Sequence, residues 1–164
     1  MDFFQPESAQ SQGFSGFISC SILRKRKSEI PADQGVYLVF SPPGFAARFL
    51  NTGTGGFFKG IDPNVSTVTL AENWISGSKL LYIGKAGGAE IGSTLRARIL
   101  ALESFGRGAK IGHKGGRYLW QLANSAELLI CWRTTQEEPR QVKKVMMEEF
   151  RVKFGRWPFA NLAP

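Results

Sequence analysis

The segment GVYLVF, residues 35–40, is the clearest strand in the chain and decides its fold. Its β-branched and aromatic residues are typical of a buried strand, and the segment PPG, residues 42–44, stops it. Two later segments have the same character: KLLYIG at residues 79–84 and ELLICW at residues 127–132. The sequence therefore predicts three strands.

Two helices are predicted from their start and stop signals. Ser93 or Thr94 can cap a helix that runs to about residue 105, and Pro139 opens a last helix that ends at Gly155. The order strand, strand, helix, strand, helix predicts an α/β (α+β) fold with a small three-stranded sheet flanked by helices. We place this domain at residues 31–164, after an N-terminal extension, residues 1–30, that we expect to be partly flexible.

A long insert, residues 41–77, separates the first two strands and holds a short predicted helix at residues 68–74. Such a long excursion inside a compact domain usually carries function or is mobile. The segment FFKG, residues 57–60, combines aromatic and basic side chains, which can contact nucleic acid by stacking and charge. Alternatively, Phe57 and Trp74 pin the insert to the core. The sequence leaves both interpretations open.

The charge balance of the chain favours a polyanionic partner. Its 164 residues include 21 Lys and Arg against 13 Asp and Glu, a formal net charge of +8. Lys and Arg that neutralise phosphates release condensed counterions, so a basic protein gains affinity for nucleic acid. The sequence has no CxxC motif and no Cys/His cluster, which argues against a zinc site. It also shows no secretory signal and no membrane-length apolar run, so we expect a cytoplasmic protein without a membrane partner.

Several short motifs together resemble the GIY-YIG nuclease superfamily. Each tripeptide alone is a weak signal, but their order along the chain matches the order of strands and helices in that family. The resemblance spans about residues 35–161. The segments that carry it are Gly35-Val36-Tyr37, Tyr82-Ile83-Gly84, Lys85-Ala86, Leu95-Arg96-Ala97-Arg98, and the Pro-x-x-Asn element at Pro158 and Asn161.

The resemblance implies a GIY-YIG-like fold and a metal-dependent DNA endonuclease that hydrolyses phosphodiester bonds. Carried over to this chain, Tyr37 and Tyr82 are the two active-site tyrosines, Arg98 contacts the phosphate, and Asn161 supports the site. One glutamate is expected to hold Mg²⁺ or Mn²⁺. Many family members have His or Tyr one turn after the arginine, and here His113, from the following basic loop, is the candidate for that place.

The metal-binding glutamate can be matched in two registers on the last helix. In the first register Glu149 holds the metal, because it stands twelve residues before Asn161, a spacing typical of the family. Glu149 also borders the face that we expect to be apolar on a helical wheel. The residues of that predicted face are Val142, Val145, Met146 and Phe150.

In the second register the segment MMEEF, residues 146–150, resembles the family's Leu-Ile-x-x-Phe, which usually follows the catalytic glutamate. Lys143 then stands at the metal position. An ammonium group has only donors and cannot ligate Mg²⁺. This register predicts a catalytically silent DNA-binding module on the GIY-YIG fold, or a lysine whose charge replaces that of the metal.

The resemblance implies DNA as the partner, and basic residues near the motifs are candidates for backbone contacts. These candidates are Lys85, Arg96, Arg107, Lys110, Lys114 and Arg117. Because no second recognition domain is evident, strong sequence specificity would need a homodimer or the insert. A third hypothesis is a plain α/β interaction domain with incidental charge, and it predicts no salt-dependent affinity for DNA.

Overall fold

A computed structural model of the chain describes residues 2–89, 92–113 and 115–163. Its strands form one antiparallel sheet in the order β1-β4-β2-β3, so β2 is central and β3 lies at an edge. The strands are β1 (Ser15–Ser19), β2 (Gly35–Phe40), β3 (Leu80–Ala86) and β4 (Leu129–Thr134). The sheet has four strands, so the prediction of a three-stranded sheet is wrong.

The strand that the sequence prediction missed is β1, which lies within the N-terminal extension. It pairs with β4, and its register shifts between Gly16 and Ile18. Gly16 has φ 103° and Phe17 has φ 57°, so the strand is bulged. A Cβ at Gly16 would lie 2.6 Å from the Trp132 ring, so the ring needs a glycine beneath it. A bulged strand with a central glycine lacks the alternation on which strand prediction depends.

The α-helices flank this sheet, and the two long ones begin and end with the predicted signals. They are α1 (Pro6–Ser11), α2 (Cys20–Leu23), α3 (Thr67–Asn73), α4 (Leu95–Gly106) and α5 (Pro139–Phe154). The Thr94 hydroxyl oxygen caps α4 by accepting from Ala97 N at 3.1 Å, and Gly155, with φ 79°, ends α5. These two predicted helices are confirmed. In the described part of the chain, no helix is long and apolar enough to cross a membrane.

Side chains bury the sheet on both faces. On one face α4 packs against a core that contains Tyr37 and Tyr82. On the other face α5 packs against a core that contains alternate residues of β2. The N-terminal extension joins this second core through Phe3, Ala9 and Phe14.

The buried face of α5 is rotated from the predicted one. Val145 is 56% exposed, whereas Met147 is only 1% exposed. The apolar stripe therefore runs through Met146, Met147 and Phe150. Lys143 lies three and four residues before this stripe, so it is on the same side of the helix.

One buried polar side chain fixes the insert to the rest of the domain. Gln121, 2% exposed, accepts from Val65 N at 2.8 Å and donates to the Val65 carbonyl at 2.8 Å. Trp74 also packs against Phe159, with ring centroids 5.0 Å apart, whereas Phe57 is 45% exposed. Of the two aromatic residues expected to pin the insert, Trp74 does so and Phe57 does not.

Candidate functional site

Tyr37 lies on the central strand, and its ring extends toward the edge of the sheet. The side chain is 1% exposed, and it lies over Gly84, the residue of β3 with which Tyr37 pairs in the sheet. A Cβ at Gly84 would lie 2.1 Å from Tyr37 Cζ, so only glycine leaves room for the ring. The glycine that closes the second tripeptide therefore lets the phenol approach the edge strand.

Tyr82 and Arg98 meet Tyr37 at this edge. The two tyrosine rings are 6.0 Å apart between centroids and inclined by 49°. The two phenols and the Arg98 guanidinium lie within electrostatic reach of one another, since Tyr82 and Arg98 both act on the pKa of Tyr37 and Arg98 acts on that of Tyr82. The structure thus brings together three residues that the sequence predicted to share a site, and we call this group of Tyr37, Tyr82 and Arg98 the tyrosine–arginine site.

Burial strengthens the preference of both phenols for the protonated form, which an ordinary tyrosine already has at neutral pH. It raises the pKa of Tyr37 well above its ordinary value of about 10, and the nearby Tyr82 raises it further, against the opposing effect of Arg98. Burial also raises the pKa of Tyr82, against the effects of Tyr37 and Arg98. The hydroxyl groups are therefore hydrogen-bond donors at neutral pH, and neither is prepared to act as a base.

His113 is the third side chain on which Arg98 acts. It is 2% exposed, and its Nδ1 lies 2.6 Å from the Gly115 carbonyl oxygen, so Nδ1 carries the proton and donates. Burial, and then Arg98, lower the His113 pKa to about 4. Within the described residues, its buried Nε2 has no hydrogen-bond partner. His113 is therefore a neutral acceptor beside the arginine.

Lys143 of α5 completes a group of cations at the same edge. Burial lowers its pKa below the ordinary lysine value, and Lys85 and Arg98 lower it further because like charges repel. Both Lys85 and Arg98 are therefore within electrostatic reach of the Lys143 ammonium. Among the described residues, no carboxylate forms an ion pair with Arg98 or Lys143.

Glu149 lies on another part of α5. It lines two surface grooves, together with Phe4 on one side and with Phe14 and Arg133 on the other. Arg98, and not Glu149, is the charged group that acts on the two tyrosines and His113. The structure places Glu149 at these grooves, whereas Lys143 is within electrostatic reach of Arg98.

Asn161 holds the edge strand from outside. It is 7% exposed, its Oδ1 accepts from Ile83 N at 2.9 Å, and its Nδ2 donates to the Ile83 carbonyl at 2.9 Å. Ala160 N also donates to the Leu81 carbonyl at 2.9 Å. The C-terminal segment therefore satisfies the free backbone groups of β3 beside Tyr82. Asn161 positions the strand that carries Tyr82.

Two of the basic residues that were predicted to contact the DNA backbone, Arg96 and Arg107, instead bind groups within the protein. Arg96 donates from Nε to the Ile30 carbonyl at 2.8 Å. Arg107 and Arg24 both form ion pairs with Glu103, which is 4% exposed. Sequence reasoning missed Glu103, because an acid in a helix is usually solvated and its two basic partners come from different elements.

The remaining predicted contacts lie in the loop after α4. Lys110 is exposed, and Arg117 is half-buried with its guanidinium 5.8 Å from the Tyr118 ring centroid. Lys114 lies outside the described residues. Gly115 brings this loop close to the site, because a Cβ at Gly115 would lie 2.8 Å from the Tyr82 hydroxyl oxygen.

The side chains of the tyrosine–arginine site do not fit a divalent cation. Mg²⁺ and Mn²⁺ need oxygen ligands, preferably carboxylates. The charged groups that act on Lys143 are Arg98 and Lys85, and the described residues contain no group of three His, Cys, Asp or Glu able to hold a metal. The arrangement fits an anion instead.

No family model, no curated protein and no solved structure matches this chain.

Proposed function

We propose that this chain binds nucleic acid through its phosphodiester backbone and does so without a divalent cation. The observation that supports the proposal is that Arg98 acts electrostatically on both tyrosines and on the largely buried Lys143, on which Lys85 also acts. Converging cations in a partly buried site repel one another, and a bound phosphate relieves that repulsion.

Each group has a role that its chemistry fits. The planar guanidinium of Arg98 can bind two phosphate oxygens at once, and Lys143 adds a compact charge from the other side of the edge strand. The protonated hydroxyl of Tyr82 is a further donor at the site. Asn161 is a positioning residue, because both of its hydrogen bonds go to the backbone of β3.

The protonation states favour binding over hydrolysis. A hydrolytic site needs a base near neutral pH, and the pKa of Tyr37 lies far above that range. His113 is neutral, but its pKa of about 4 makes it a weak base, and its Nδ1 proton is held by the Gly115 carbonyl. The metal-dependent endonuclease expected from the sequence would need a carboxylate where Lys143 lies.

A DNA endonuclease is nevertheless the second candidate, favoured by the grouping of Tyr37, Tyr82 and Arg98. This group keeps the residues that resemble the GIY-YIG active site. In that function the Lys143 ammonium supplies positive charge that the family obtains from Mg²⁺ or Mn²⁺.

A binding assay and a nicking assay on the same protein preparation separate the candidates. Purified protein is titrated into labelled DNA at several salt concentrations and is also incubated with supercoiled plasmid in Mg²⁺, Mn²⁺ or EDTA. The proposal predicts salt-dependent binding, weakened in Arg98→Ala, and no nicking under any condition. Nicking that survives EDTA and disappears in Arg98→Ala would establish a metal-free nuclease. Nicking that requires the metal would overturn the proposal.

A further inference from the structure

The insert contains a tight turn, which we call the Phe57 turn (residues 57–61). Ile61 N donates to the Phe58 carbonyl at 3.0 Å, and the two residues form an isolated antiparallel bridge. The central residues Lys59 and Gly60 have φ values of 53° and 73°. Positive φ at both central positions is the signature of a type I′ turn, and a lysine accepts it only where the surroundings hold it.

The end of α4 and the loop that follows it hold this turn and the residue before it in place. Gly56 N donates to the Phe105 carbonyl at 3.0 Å, and a Cβ at Gly56 would lie 1.9 Å from the Ala109 carbonyl oxygen. The Phe58 ring covers Gly112, where a Cβ would lie 3.1 Å from Phe58 Cε1. The turn is therefore held against the loop before any partner binds.

The clamped turn presents apolar side chains and a cation to solvent. Phe57 is 45% exposed and Ile61 is 51% exposed, on either side of the exposed Lys59. Single exposed apolar residues are common on protein surfaces. Here an aromatic ring and a β-branched side chain flank a positive charge on a fixed turn, which suits a partner that is both anionic and aromatic.

The turn also lies next to the proposed phosphate site. The loop that clamps it contains the exposed Lys110 and the buried His113, and His113 is within electrostatic reach of Arg98. His113 and Ile61 line the same small cavity between turn and loop. Phe58, which follows Phe57 directly, also lines this cavity, so the Phe57 turn is the part of the insert that a strand bound at Arg98 would meet through His113.

We propose that Phe57 stacks on an unpaired base of the bound nucleic acid, so that the chain prefers unpaired strands to duplex. Stacking on a side chain needs a base face that is free of its neighbours, which unpaired nucleotides offer. Lys59 contacts a phosphate of the same strand. This inference rests on the proposed function, and it adds the class of nucleic acid that is bound, which is unpaired strands.

The test compares affinities for one oligonucleotide sequence as a single strand and as a duplex, at several salt concentrations. Phe57→Ala is expected to weaken binding of the single strand about tenfold without changing the salt dependence, because stacking carries no charge. Lys59→Ala should reduce the slope of log affinity against log salt by about one. Val68→Ala, 65% exposed on α3 of the same insert, is the matched apolar control and should leave binding unchanged.

Recovery of the affinity in Phe57→Tyr would support stacking, because the aromatic ring is retained. Equal single-strand affinities for the wild type, Phe57→Ala and Val68→Ala would overturn the inference, while steep salt dependence in all of them would leave the proposed function standing. A wild-type protein without salt-dependent binding would overturn both.

Discussion

Replacement of Lys143 by methionine should make the protein more stable at neutral pH. Lys143 is largely buried, and its ammonium is repelled by Lys85 and Arg98 without an acidic partner among the described residues. Methionine keeps an unbranched stem of similar length that fills the same space, so Lys143→Met removes the charge and keeps the packing.

The expected gain is about 1 kcal/mol, the range seen when unfavourable groups at functional sites are removed. For a chain of 164 residues this raises Tm by roughly 2–4 °C. The pH dependence has a definite sign. The pKa of Lys143 is lower in the folded than in the unfolded protein, so the ammonium destabilises the fold at neutral pH. This destabilisation fades as pH rises through the folded pKa toward the unfolded value.

Urea denaturation of the wild type and Lys143→Met at neutral pH and near pH 10 measures both effects. Lys144→Met is the control, because Lys144 is exposed on the same helix and should change stability little. A Lys143→Met protein that is less stable than the wild type at neutral pH would refute the reasoning, since it would mean that the lysine charge is compensated in the fold.

Three further predictions follow from single contacts. Gly84→Ala should destabilise the protein by about 3 kcal/mol in thermal or urea unfolding, because the new Cβ would lie 2.1 Å from Tyr37 Cζ. Asn161→Ala should cost about 1–3 kcal/mol and speed hydrogen exchange at the Ile83 amide, which loses its acceptor. His113, the only histidine, should titrate near pH 4 by NMR, and its protonation should cost about 3 kcal/mol of stability as pH falls from 6.5 to 4.

Each of these predictions has its own control. Gly77→Ala tests the glycine effect, because nothing lies within 4 Å of a Cβ at that position, and equal stabilities of the two alanine variants would contradict the clash. His113→Asn removes the titration while keeping a donor for the Gly115 carbonyl, so its stability should lack the loss between pH 6.5 and 4. Unchanged exchange at Ile83 in Asn161→Ala would mean that the strand edge is protected in another way.

The parts of the fold that local signals specify were predictable from the sequence. The apolar runs of β2, β3 and β4, the Thr94 cap and the Gly155 stop each act through their immediate neighbours. β1 was not predictable, because its bulge at Gly16 depends on a tryptophan ring from β4. Gln121 gave no signal either, since a glutamine becomes a core residue only through backbone partners distant in sequence.

The proximity of the two tyrosines and the arginine was predictable, because their spacing is set by paired strands and one helix. The choice between Glu149 and Lys143 was not, because it depends on the rotation of α5 about its axis. The hydropathy pattern predicted that Val145 is buried and did not include Met147 in the buried face. In the structure Val145 is exposed and Met147 is buried. Packing against the second core, which includes the N-terminal extension, determines that rotation.

The most direct test of the central claim is the salt dependence of DNA affinity in the wild type, Lys143→Ala and Lys144→Ala. If Lys143 contacts a phosphate, its removal should weaken binding and lower the slope of log affinity against log salt by about one, whereas Lys144→Ala should match the wild type. Equal slopes in all three proteins, or wild-type affinity that does not fall with salt, would mean that Lys143 contacts no phosphate.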